Sequence, residues 1–159
     1  MPRFYAVTVP QPTENRSKVH VYGAAAPLTG RTHYHVSSKL SQAEFAQFLR
    51  HLLVYHPGKR LLIIHDRGPQ HKGAVIEAAV REAQGRLTLK AQPAYSPELN
   101  PQERIWKWLR RVVTHNHWFE TLRKQIEAVQ NFFRYLTGVK DQVRRLCGIK
   151  TSVSLVASL

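Results

Sequence analysis

Cysteine is nearly absent from this chain: Cys147 stands alone among 159 residues. A lone thiol excludes a disulfide framework and a cysteine-built metal knuckle, and it fits a reducing compartment. Long apolar runs are missing as well. No stretch approaches the roughly 18 apolar residues of a membrane span, and MPRFYAVTVPQPTENRSK holds no apolar core of signal-peptide length. A cytoplasmic location with no membrane partner is expected. Acids are scarce too, ten against 24 lysines and arginines, for a formal net charge of +14. The only aspartates are Asp66 and Asp141. The cations are spread along the whole chain, a field that favours polyanions, nucleic acid foremost and an anionic membrane surface second. A merely basic, ribosome-associated protein is the plainer option.

What is present reads as one domain. VHVYGAAAPLTGRTHYHVS alternates with a period of two on either side of PLTG, which predicts a hairpin. Ser41 with Glu44 three positions on forms a capping box for a helix, whose inward stripe is Phe45, Phe48, Leu49, Leu52 and Leu53. RLLIIHD, a short apolar run between turn signals, predicts a strand buried on both faces. A helix with Val75, Ile76, Ala79, Val80 and Ala83 inward follows, then a second short strand in RLTLKAQP. A basic, tryptophan-bearing helix starts near Pro101, and a last one runs from about Thr121 to Leu136 with Leu122, Ile126, Val129 and Phe133 inward. Antiparallel strands first and strand–helix alternation later imply an α/β fold, a mixed sheet covered by helices.

Two acids stand out. Asp66 follows LLII at the carboxyl end of a predicted parallel strand, where ligands of open sheets bind, although DRGPQHK equally suits a turn aspartate. Glu103 lies three residues after Asn100, with Pro101 between, so it can be read as half of a capping box. A right-handed crossover would lay RLTLKAQP beside the Asp66 strand and bring both carboxylates to one end of the sheet. Two such oxygen donors can hold Mg2+ or Mn2+, with water and phosphate at its other positions.

AYSPELNPQERIW resembles the PYSPxLNPxExxW segment of DDE-superfamily transposases, in their mariner-like bacterial insertion-sequence branch. LLIIHDRGPQHK resembles the strand that delivers that family's second aspartate, with His71 five residues on, and the hairpin is similar to the family's second and third strands. The resemblance implies an RNase H-like fold, and it implies a triad of carboxylates binding two divalent ions. Asp66 would be the second acid and Glu103 the third, both catalytic and both metal ligands. Transposon-end and target DNA are the implied partners, with a homo-oligomer or an upstream-frame polypeptide beside them.

The family's pattern is departed from in two places. Arg67 puts a cation where the family has a small polar residue; it would either contact a DNA phosphate or weaken ion binding. The first aspartate belongs on a strand before the hairpin, yet the one acid before Lys18 is Glu14, in a loop-like context. The expectation is therefore a mixed sheet lacking its first strand: an irregular segment 1–17, a partial RNase H-like catalytic domain 18–136 and a tail 137–159. Such a chain would be the C-terminal part of a transposase, either decayed or a second reading frame, and inactive in strand transfer by itself. A non-catalytic DNA-binding protein or inhibitor derived from a transposase is the alternative. Arg67, His71, Arg104, Lys107, Arg110 and Arg111 are the candidate DNA contacts, although Trp106, Trp108 and Leu109 between the latter also fit a solvated basic face over a core.

Overall fold

The computed structural model describes residues 3–10, 19–94, 100–115 and 117–148; the readings placed on Glu14 and on residues 95–99 lie outside these. Strands β1 (Arg3–Pro10), β2 (His20–Ala26), β3 (Arg31–Ser37), β4 (Leu61–His65) and β5 (Leu87–Ala91) form one sheet in the order β3-β2-β1-β4-β5. The β1–β2 and β2–β3 pairs are antiparallel, and β1–β4 and β4–β5 are parallel. The sheet is therefore mixed. Helices α1 (Gln42–Tyr55) and α2 (Ala74–Glu82) pack on one face, and α3 (Pro101–Leu109), α4 (Leu122–Gly138) and α5 (Lys140–Leu146) on the other. No described helix is long and apolar enough to cross a membrane.

The expected loss of the first strand is overturned. Arg3–Pro10, read as irregular, is the central strand, with Val7 opposite Gly23 on β2 and Ala6 paired with His65 on β4. The flanking prolines hid it. RFYAVTVP is rich in aromatic and β-branched residues, which favour strands, and its proline falls at the strand's end, where a missing N–H is tolerated. Residues 140–146, assigned to a tail, form α5, which buries Val143 with Cys147 just beyond it.

The first core joins Tyr22, Phe45, Phe48, Leu49, Leu52, Leu61 and Ile63. Ser41 caps α1 as its sequence predicts, its Oγ accepting from the Glu44 N–H at 3.3 Å. Four residues depart from the inward assignments. Val75 and Leu122 are exposed, and β4 is fully buried on one face only, since Leu62 and Ile64 are half-covered. Each exposed residue sits in a first helical turn, where the chain has not yet come down onto the sheet.

The second core depends on a close approach. α3 crosses β1 and β2 so near that a Cβ on Gly23 would lie 2.5 Å from Trp106 Cη2 and 2.8 Å from Gln102 Nε2. Trp106 itself is fully buried and meets Phe133 edge-on at 5.9 Å. Gly23→Ala should push α3 off the sheet and destabilise the fold by about 1–3 kcal/mol, the range for an overpacked core. Urea denaturation checks this; an unchanged midpoint would refute the contact.

Candidate functional site

Asp66 sits immediately past the carboxyl end of β4, in a turn that ties down its carboxylate. The Gly68 N–H donates to Asp66 Oδ1 at 2.8 Å, so the turn reading of DRG holds. The same oxygen receives His71 Nδ1 at 2.7 Å. His71 is only 2 % exposed, packed against the Phe45 ring at 4.3 Å, and Gln70 Nε2 donates to its Nε2 at 3.3 Å. That second bond fixes the ring's proton on Nδ1, facing Asp66. His71, expected among the DNA contacts, is thus turned inward as the support of Asp66. Burial by itself would raise Asp66; the bonds from His71 and Gly68, with the nearby His65 and His71 rings, outweigh it and hold the carboxyl below its ordinary value. His65, buried at the strand's end, donates from Nδ1 to the Asp66 carbonyl, and burial pushes its own pKa down.

Glu103 reaches the same place from the start of α3. Asn100 caps that helix through its side chain, but the bond goes to the Gln102 N–H at 3.1 Å, and the Glu103 N–H takes the Asn100 backbone carbonyl at 3.0 Å. The Glu103 carboxylate makes no hydrogen bond and no ion pair among the described residues, so it plays no part in a capping box. At Ser41, by contrast, the corresponding Glu44 is held by His35 at 2.9 Å. Glu103 is half-buried. Burial pushes its pKa up and the neighbouring Asp66 charge adds to this, against the pull of the Arg110 and Lys107 cations. The two carboxylates therefore feel each other's charge.

The other candidate residues divide. Arg67 is exposed but anchored, Nε donating to the Gln92 carbonyl at 2.9 Å beyond β5. Arg104, Lys107 and Arg111 are exposed at helical spacing along α3 and its extension. Arg104 also donates to the Leu146 carbonyl at 3.0 Å, at the C-terminus of α5. Arg110 is half-buried and begins a π-helical turn, Arg110–Thr114, closed by the His115 N–H on the Arg110 carbonyl at 2.6 Å. Trp106 is in the core and Trp108 half-buried, so the helix is both a basic face and a core element. Among the described residues no three His, Cys, Asp or Glu side chains form a metal cluster. Sequence reading missed Gln70 and the Gly68 N–H as supports of Asp66; Gly two residues after Asp was the available signal.

The two acids carry opposite pH dependences. Asp66's folded pKa lies below its unfolded one, so its stabilisation is present above the unfolded value and lost as pH falls through the folded value. Glu103's lies above, so its stabilisation is complete below the unfolded value and lost as pH rises through the folded one. In the presence of a chelator at pH 7, Glu103→Gln should raise the melting temperature and Asp66→Asn should lower it. The gain from Glu103→Gln should vanish at about pH 3.5, below the ordinary glutamate value. Shifts of the same sign for the two variants at pH 7 would contradict this geometry.

Comparison with known proteins bears on the family and the fold. Residues 7–126, well over half the chain, match the family model described as DDE superfamily endonuclease. The chain is 28 % identical over 116 residues to the insertion element IS630 uncharacterized 39 kDa protein of Shigella sonnei, covering 72 % of this chain and 34 % of that protein. It therefore spans about a third of the length of that relative. Among solved structures, the Mos1 transposase catalytic domain with Raltegravir and Mn superposes with a TM-score of 0.65 at 14 % identity, covering 92 % of this chain and 79 % of that one. The Mos1 transposase paired-end complex with left transposon end gives 0.65 at 12 % identity, covering 92 % and 54 %. These likenesses place the sheet and its helices in the RNase H-like fold. By its match to the family model, the chain belongs to the DDE superfamily endonucleases.

Proposed function

We propose that the chain carries two of the three carboxylates of a transposase active site, and that Asp66 and Glu103 hold one Mg2+ or Mn2+ at a DNA phosphate. The observation that carries this is the state of Glu103: half-buried, without a hydrogen bond among the described residues, and with its pKa raised by burial and, beyond that, by the charge of Asp66. An ionised carboxylate there is unfavourable until a cation arrives. The donor set fits such an ion, because Mg2+ is commonly held by one or two carboxylates with water and phosphate completing its shell. When bound, it would polarise phosphoryl oxygen and lower the pKa of an attacking water or 3′-hydroxyl. The Mos1 structures with manganese and with a transposon end support the choice of cation and of DNA.

The chain's own residues then have distinct tasks. His71 and Gly68 fix one oxygen of Asp66 and leave the other available. Asn100 sets the start of α3 and so the height of Glu103 over the sheet end. Lys107 and Arg110, close enough to act on Glu103, and the exposed Arg104 and Arg111 supply the positive field that draws DNA phosphates. What β1 lacks is an acid: Arg3–Pro10 contains none, and the residue following the Ala6–His65 pair, level with Asp66, is Val7. Two metal ions close together need several carboxylates to offset their repulsion, so the chain by itself is read as unable to join DNA ends. That same observation favours the second reading, a DNA-binding protein or inhibitor derived from a transposase, and it leaves room for a further copy or another polypeptide to supply the missing acid.

Mn2+ should raise the melting temperature of the wild-type chain, and Asp66→Ala or Glu103→Ala should abolish the rise. Val7→Asp should tighten Mn2+ binding about tenfold, the low end of what a supporting group is worth at a metal site; a flat calorimetric titration for this variant would count against the assignment. Manganese-dependent joining of DNA ends by the wild-type chain would show that no third acid is needed. DNA binding should weaken steeply with salt, and removing Lys107 or Arg111 should each reduce the slope of log K against log salt by about one.

A further inference from the structure

Trp118 is the most exposed large hydrophobic side chain among the described residues, with 84 % of its surface open to solvent. Its position is held from both sides. The preceding π-helical turn ends at Thr114, whose carbonyl accepts from the His117 N–H at 3.4 Å, and Phe119 packs against the second core. With Phe119 turned inward, the adjacent indole is left standing in water. Its sequence neighbours His115, His117 and Glu120 are exposed and polar, and the exposed cations Arg104, Lys107 and Arg111 precede it in the chain, along α3 and its extension.

We propose that Trp118 is a stacking platform for an unpaired base of the DNA whose phosphates follow that basic face. This rests on the reading of the chain as a DNA-binding DDE endonuclease and adds to it a preference for strands with unpaired bases. A protein partner would want a broad apolar patch, whereas the exposed residues nearest to Trp118 in the chain, His117 and Glu120, are polar and the exposed apolar ones, Val112 and Leu122, lie six residues before it and four after. A base asks for one flat π-face with cations nearby, and every base has such a face, so the contact tolerates any sequence. Bases stacked within a duplex are out of its reach; a frayed end, a flank or a single strand is not.

The three tryptophans make the test direct, because Trp106 is fully buried, Trp108 half-buried and Trp118 open. In a chelator buffer, a mixed-sequence single-stranded oligonucleotide should quench the exposed fraction of tryptophan emission. Trp118→Ala should weaken that binding by about 5- to 150-fold, the range for one base–aromatic stack, while Trp118→Phe keeps most of it. Affinity for a blunt duplex of the same length should change less than twofold, and the salt slope should be unaltered. Single-strand affinity unchanged in Trp118→Ala, or an equal loss on duplex, would overturn the proposal while leaving DNA binding intact. A wild-type dimer that Trp118→Ala converts to monomer would also overturn it, assigning the indole to a contact between copies. Failure of the wild type to bind any DNA would instead defeat the reading on which it rests. Circular dichroism of both variants controls for folding, which a side chain this exposed should not affect.

Discussion

Where Trp106 lies across Gly23, the outer carbons of the indole occupy the space that any side chain on that strand residue would need. The contact sets the separation between α3 and the sheet, and with it the position of everything α3 carries. Glu103 lies one turn before Trp106 on the same helix. Gln102, on the same helix turn, is completely buried with both amide atoms unpaired among the described residues, its Nε2 only 2.8 Å from where a Cβ on Gly23 would lie.

The two acids are treated differently by the fold, and the difference is functional in character. Asp66 is given donors, one from a turn and one from an imidazole whose own tautomer is set by Gln70. Glu103 is given none. One carboxylate is thus kept ionised and aimed, while the other is kept at a disadvantage that an incoming cation would relieve. The excess of lysine and arginine does not neutralise the pair by direct contact. Arg110 and Lys107 act on Glu103 through space only, and Arg67 and Arg104 spend donors on backbone carbonyls. The local field is softened, and among the described residues no salt bridge closes on Glu103.

Much of this was legible in the residues. The hairpin, the capped α1, the parallel β4–β5 pair and the approach of Asp66 to Glu103 follow from period, caps and the handedness of crossovers. The role of His71 was not legible, because nothing in a sequence distinguishes a histidine that faces DNA from one that faces the aspartate five residues before it. Only the packing of Phe45 against the ring decides. The first strand was not legible because its proline, which merely ends the ladder, is also the mark of a turn, and because the strand carries none of the family's acids. The α5 helix was missed because seven residues with one buried valine carry too little pattern; its burial comes from α3 and α4, far away in sequence. Exposed Val75 and Leu122 mark the limit of helical periodicity in a first turn.

The middle location of β1 has a consequence for any scheme in which a separate polypeptide completes the site. A strand at a sheet's margin can be supplemented by simple addition, but Arg3–Pro10 is laddered to a neighbour on either flank. An acid delivered on a foreign strand would have to evict this one, breaking an antiparallel and a parallel ladder together before any new pairing formed. Complementation would then behave as strand exchange, slow and governed by the opening of the sheet, instead of as ordinary docking onto a finished surface.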